Sequence, residues 1–491
     1  MSGSPVSVMK EMAAGAVIGT DRSGDKPEAV LTQAAVVGLR ARAGWKARAC
    51  AAKIAECPAD TKPVAPEAAM ATLLRLMGDP DAGVIEEWAE LAQAKGVRIV
   101  DSTVPVVMDW WSRQPRRSEV VYSVLGKRGE WLAGLNDAWR KPVAASEVPA
   151  NADEIWQTGN TPERVALLLT LRRHDPARGL AVVQSTWASD SADERRRFVE
   201  MLLQGRSMAD EPFLEAALDD KSKVVRRQAC AVLGAMAGSR YRGRMNERAK
   251  AIIGVEAKKG LLKRGVKVKL NPPAEFDKSW ERDGIEEQAA SGTGKRAWWM
   301  RQIVSAADVS VWTEVTGLDP AECLAAISGD DYFKDALAAL VDVVQTAPQP
   351  AWAEAILRHL LTEDKLDVDM AKGLCDTLPR AQREELLLEI ADHKRLGAAD
   401  RWMLLASTKE RWSAAFSTKA LKLLIKNKAK GNDVYRLYEP VEKASRVVAV
   451  ESADQFEETV NEMFADQPTD SFKRSIDRVR LRADMHKEFA S

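Results

Sequence analysis

Residues 218–234 read LDDKSKVVRRQACAVLG, and their periodicity decides the fold class. Val225, Ala229, Val232, Leu233 and Met236 fall at i, i+4, i+7, i+8 and i+11, which places them on one face of a helix. Arg226, Arg227 and Gln228 occupy the other side. Asp219, Asp220 and Ser222 stand where capping side chains belong, and Gly234 and Gly238 weaken the far end. The stretch reads as the second helix of a helical hairpin, with residues 211–218 as the end of the first.

The same grammar extends outward. Asp-Pro pairs recur at Asp79-Pro80, Asp175-Pro176 and Asp319-Pro320, where aspartate caps a helix and proline takes its first position. Their spacing is irregular, so no fixed period links them. Helical faces are expected over 162–173, 179–187, 193–204, 355–361 and 384–390, and the charged tail 451–489 is expected to be helical. Residues 142–153, PVAASEVPANAD, read as a linker. The strip VKVKLNPPAEF, 266–276, alternates apolar and basic residues before breaking at Pro272-Pro273, and is the one short β segment expected.

Composition narrows the function classes. Lys+Arg and Asp+Glu both number 72 in 491 residues, so any attraction to a polyanion must come from a local patch. The longest run without a charged residue, 228–239, is too short to cross a bilayer, and a cytoplasmic protein is expected. Five scattered cysteines without a C-x-x-C pair form neither a disulfide framework nor a zinc site, so no cofactor or metal is assigned.

The strongest charge asymmetry lies over 240–269. Arg240, Arg242, Arg244, Arg248, Lys250, Lys258, Lys259, Lys263, Arg264, Lys267 and Lys269 face only Glu247 and Glu256, a local excess of nine. Such a strip attracts phosphate backbones or an acidic protein surface, unless acids from another segment cover it. A second cluster comprises Lys419, Lys422, Lys426, Lys428 and Lys430.

Two other stretches resemble sites and are read otherwise. SGTGKR, 291–296, suggests a phosphate loop, but G-x-x-x-x-G-K-[ST] requires glycine at Ala289 and a hydroxyl at Arg296. It reads as a turn opening a helix. Trp110-Trp111 and Trp298-Trp299 resemble stacking platforms for single-stranded nucleic acid; adjacent helical residues point about 100° apart, so the pairs read as core packing on two sides. His174, His359, His393 and His486 stand in no nucleophile or metal motif, and EDKLDVD, 363–369, lacks the glycine and terminal glutamate of a calcium loop.

The order Asp220, Val225, Arg226, Ala229, Leu233, Gly234 resembles the second helix of HEAT repeats. In that family the aspartate and arginine ladder between neighbouring repeats while the alanine admits close helix packing. A wider set also carries a resemblance: Ile18 to Arg22 (IGTDR), LGKRGEWLAGLNDAW (125–139), NTPERVALLL with LRRHDPARGL (160–180), and WERDGI (280–285). Together these segments look like an uncharacterised family of bacterial helical proteins, of the kind encoded beside MoxR-type AAA+ ATPases and von Willebrand A-domain proteins.

The expectation is therefore an all-α chain, a degenerate HEAT-like helical-hairpin solenoid with one β/loop insertion near 265–275. Its regions are an N-terminal helical part (1–145), a repeat region (154–250), a basic Pro/Gly-rich insertion (251–294) and C-terminal helices (295–491). Function is expected to be that of a non-catalytic binding scaffold, with an AAA+ ATPase or von Willebrand A-domain protein as the partner that resemblance implies. Nucleic-acid binding is the alternative reading, and an enzyme similar to the HEAT-like alkylpurine DNA glycosylases a remote third.

Overall fold

A computed structural model describes Ala35 and residues 54–490, apart from 79–80, 115–117, 140–147, 259–264, 290–291, 293, 364–366, 395, 428–434 and 465–468. By contacts, residues 1–58 separate as one unit from 59–491. The IGTDR stretch, the Asp79-Pro80 pair and half of the linker, 142–147, lie outside the described residues.

Among the described residues of the larger unit, regular structure is helical apart from one hairpin and an isolated β-bridge between Val64 and Arg98. An N-terminal bundle holds α1 (Glu67–Gly78), α2 (Ala82–Ala94), α3 (Val104–Ser112), α4 (Glu119–Ser123) and α5 (Gly126–Leu135). Then follow α6 (Ala152–Thr158), α7 (Thr161–His174), α8 (Pro176–Thr186), α9 (Ala192–Met201), α10 (Glu211–Ala217), α11 (Lys223–Gly234) and α12 (Arg240–Ile252). Strands β1 (Ile253–Lys258) and β2 (Gly265–Leu270) pair antiparallel, with Ile253 opposite Leu270 and Glu256 opposite Lys267. Next come α13 (Lys295–Ala306), α14 (Ser310–Thr316), α15 (Pro320–Ile327), α16 (Phe333–Thr346), α17 (Pro350–Thr362) and α18 (Val368–Cys375). The last helices are α19 (Arg380–Ala391), α20 (Ala398–Leu405), α21 (Ala414–Lys426), α22 (Tyr438–Val447), α23 (Ala453–Met463) and α24 (Asp470–Ala490).

The expected starts hold where they are described. Asp175 accepts from the Arg178 N–H ahead of Pro176, and Asp319 forms a reciprocal capping box with Glu322 ahead of Pro320. Asn160 with Glu163 and Ser191 with Glu194 make two further boxes. Two local expectations need correction. Residues 211–218 are not the end of a longer helix: α10 is a short helix of its own, entered through a 3-10 turn at Met208–Asp210. The β segment stops at Leu270, before the prolines, and its partner β1 comes from residues read only as part of the basic strip.

Packing alternates along the chain. Helix α7 packs on α9 and α9 on α11; later α16 packs on α18, α18 on α20, α20 on α22 and α22 on α24, with α19, α21 and α23 as a second row. One apolar core runs from Ala152 to Val479, through the hairpin and into the C-terminal helices. A separate core fills the bundle from Ala65 to Ala133, and Met485 and Phe489 of α24 complete it. The N-terminal bundle thus rests on the last helix of the chain, with α24 against α1 and α2. Trp88 meets Phe489 edge-on at 5.4 Å, and Thr72 donates to Glu488 at 2.8 Å.

Two buried ionic nodes hold these parts. Arg172 of α7 is fully buried and forks onto both oxygens of Asp210 at 2.9 and 2.7 Å. Its other N–H groups reach the carbonyls of Pro176, Leu202, Gln204 and Gly205. Glu87 of α2 accepts from Arg482 of α24 at 2.6 Å and lies 2.8 Å from His486 Nε2. Arg482 also donates to the carbonyls of Ser445 and Val448, so one guanidinium fixes α2, α22 and α24 together.

Gly205 shows how closely the first node is built. Its φ is +59°, and a Cβ there would lie 2.3 Å from the Arg172 carbonyl oxygen. Gly205→Ala is expected to cost about 1–3 kcal/mol, because both the left-handed backbone and the contact disfavour a side chain. Thermal denaturation checks this, and an unchanged midpoint would show that the loop relaxes freely.

Candidate functional site

The basic strip is folded into pairs. Helix α12 carries Arg240, Arg242, Arg244, Arg248 and Lys250, and acids from distant segments meet the four arginines. Arg240 lies 3.4 Å from Glu211, and Arg242 binds Asp308 at 3.0 Å and the Gly234 carbonyl at 2.6 Å. Arg244 spans Asp283 at 2.6 Å and Glu215 at 3.1 Å, while Arg248 reaches the other Asp283 oxygen at 2.7 Å. Lys250 pairs with Glu247 one turn back at 2.9 Å. The Lys258 side chain, Lys259, Lys263 and Arg264 lie outside the described residues. Lys267 and Lys269 project from the exposed face of β2, while Val268 and Leu270 turn inward. The four arginines of α12 are thus paired with acids from elsewhere in the chain, while Lys267 and Lys269 remain exposed.

Arg244 and Arg248 anchor the segment WERDGI. Arg282 forks onto Asp219 at 2.8 and 3.0 Å and reaches Glu215, and Asp283 sits buried between Arg244 and Arg248. Gly284 adopts φ +78° against Cys230, where a Cβ would meet Sγ at 3.0 Å, and Ile285 enters the core. Burial pushes the Cys230 thiol up to about 12, with the Asp283 charge adding to it, so this sulfur is a protonated packing group at neutral pH.

SGTGKR ends in a helix start. Gly294 occupies the capping position of α13, and the Arg296 guanidinium donates to the carbonyls of Pro272 and Pro273. Trp298 and Trp299 donate to the carbonyls of Glu286 and Glu287, and Trp299 is buried. Trp111 is buried as well. Among the described residues no tryptophan is exposed, and no group of three His, Cys, Asp or Glu side chains is arranged to hold a metal. No described helix is long and apolar enough to cross a membrane.

The repeat-structural residues show a regularity that the sequence hid. Val225, Ala229 and Leu233 are fully buried on α11. Caps Asn160, Ser191 and Ser222 start α7, α9 and α11 at intervals of 31 residues, and four places after each stands an arginine: Arg164, Arg195, Arg226. Arg164 binds Asp190, just before α9, at 2.9 Å, and Arg195 forks onto Asp220, just before α11, at 2.8 and 3.1 Å. Each carboxylate is thus held by the arginine of the preceding helix of the row. Asp220 pairs with Arg195 rather than with Arg226. Among the described residues, Arg226 binds the carbonyls of Asp220 and Lys221 in its own turn.

A cleft of about 900 Å³ lies where α1, α2, α22 and α24 meet. Asp81 caps α2 there and is held by Arg446 at 3.2 Å and Arg478 at 3.0 Å. Burial would raise the Asp81 pKa, but these two guanidinium charges outweigh it and hold the carboxyl below its usual range. The row Arg474, Arg478, Arg482 along α24, at i, i+4 and i+8, was the available signal in sequence.

The chain belongs to a family of unknown function, DUF5691, whose profile matches residues 5–489. No curated protein matches it.

Proposed function

We propose that this protein is a non-catalytic binding scaffold, built as a degenerate HEAT-like solenoid, that docks a protein partner along its helical rows. The observation that carries the reading is the ladder of Arg164, Arg195 and Arg226 at 31-residue intervals, on helices that pack in alternating rows. Equivalent side chains in equivalent places on successive helices are the mark of a repeat array, in which each unit contacts its neighbours and the rows form an extended surface. The internal pairing of Arg240, Arg242, Arg244 and Arg248 favours a protein partner over a nucleic acid, since their charge is already spent. By resemblance, the partner is an AAA+ ATPase or a von Willebrand A-domain protein, and any ATP hydrolysis belongs to it.

Affinity purification from the native host is expected to recover a stoichiometric protein partner that survives nuclease treatment. Recovery of DNA or RNA alone, in amounts that fall steeply between low and moderate salt, would establish the nucleic-acid reading instead.

A further inference from the structure

We propose that Arg226 is an open third rung of the ladder and takes up an aspartate or glutamate side chain from the partner protein. The argument is one of repetition. Arg195 donates backward through Nη1 to the carbonyl of Asp190 at 2.5 Å, and forward through Nε and Nη2 to the carboxylate of Asp220. Arg226 repeats the backward bond, Nη1 to the carbonyl of Asp220, at 2.8 Å. Among the described residues its forward side has no acceptor, and the residue is only half-buried. Where the first two rungs hold a carboxylate, the third lines a cavity of about 290 Å³.

The surroundings specify the ligand. A guanidinium fork matches a planar carboxylate with two parallel hydrogen bonds, a geometry that Asp220 already demonstrates one rung earlier. Lys223 and Arg227 flank the cavity, and Glu286 is committed to both of them. Glu281 and Glu287 also line the cavity, so the site has no net charge with which to attract polyanions. Recognition there depends on the fork, and the cavity suits an amino-acid side chain better than a nucleotide. The identity of the occupant as a partner's side chain rests on the scaffold reading; the carboxylate site itself does not.

The test uses the full chain and small probes, so it remains readable whether or not a partner is ever recovered. A capped tripeptide with a central aspartate, its asparagine counterpart and inorganic phosphate are each titrated and followed by calorimetry. The aspartate peptide is expected to saturate the protein and to bind at least about tenfold tighter than the asparagine peptide. Arg226→Met is expected to abolish that difference with a smaller fall in thermal midpoint than Arg195→Met, which strips Asp220 of its guanidinium partner. The proposal is overturned by equal affinity for the two peptides, by full binding in Arg226→Met, by preference for phosphate, or by no saturation with either peptide. A fall in midpoint for Arg226→Met as large as for Arg195→Met also overturns it, since the rung would then be filled from within the chain.

Discussion

Arg172→Met is expected to destabilise the protein by about 3–5 kcal/mol, the typical cost of leaving a buried charge without its partner. The charge left behind is Asp210, itself buried beneath α7. The four carbonyls of the α8 entry and the 202–205 turn would also lose their donor. Those carbonyls belong to two separate segments of chain, so the loss spreads beyond a single contact. Asp210→Asn, which keeps the shape and one acceptor, should cost less than Arg172→Met. Replacing both residues with apolar ones should recover part of the loss, because no uncompensated charge then remains. Urea denaturation of the three variants measures this order, and a double variant no better than the worst single one would contradict it.

The second large effect concerns Glu87. Burial alone would push its carboxyl up, but hydrogen bonds from His486 and Arg482 and the charges of Arg482 and Arg411 outweigh it and hold the pKa at about 2. A folded pKa below the unfolded value means that ionised Glu87 stabilises the fold at pH values above about 4.5. That contribution fades as pH falls from about 4.5 towards 2. At about 1.4 kcal/mol per unit, it amounts to about 3 kcal/mol at neutral pH. Glu87→Gln is expected to remove a similar amount at pH 7 and to flatten the acid limb of the stability profile. Hydrogen exchange localises the change: amides of α2 and α24 should exchange roughly a hundredfold faster, while those of α7 and α11 keep wild-type protection. Uniform acceleration across the chain would show that the N-terminal bundle and the longer core unfold as one.

Local features of this chain were legible because they depend on near neighbours. The face of α11 follows from five apolar residues within twelve positions, the starts at Asp175 and Asp319 from the adjacent prolines, and the helix after Gly294 from the two misfit positions of its apparent phosphate loop. Burial of Trp111 and Trp299 followed from the helical angle between neighbours. The ladder escaped because the cap, the arginine and the buried Leu171, Leu202 and Leu233 recur every 31 residues while most positions between them change residue type. For Arg240, Arg242, Arg244 and Arg248 the count along the sequence overstated the free charge, because it ignores acids that folding delivers from elsewhere. Asp283 and Asp308 come from beyond the hairpin, Glu211 and Glu215 from before α11. Strand β1 was missed because its residues were read for charge, and the cleft at α2 and α24 because its walls come from opposite ends of the chain.

That last junction sets a timetable for synthesis. Glu87 and Arg482 are 395 residues apart, and at roughly 5–20 residues per second a ribosome needs roughly 20–80 seconds to travel from one to the other. Throughout that interval the N-terminal bundle exists without Met485 and Phe489, the two side chains that complete its core. A nascent chain of this protein therefore carries an unfinished apolar surface and an unmatched Glu87 until its final helix leaves the exit tunnel. Truncation within α24 that removes Met485 and Phe489 would leave the bundle of α1 to α5 as the part that holdase chaperones and proteases recognise.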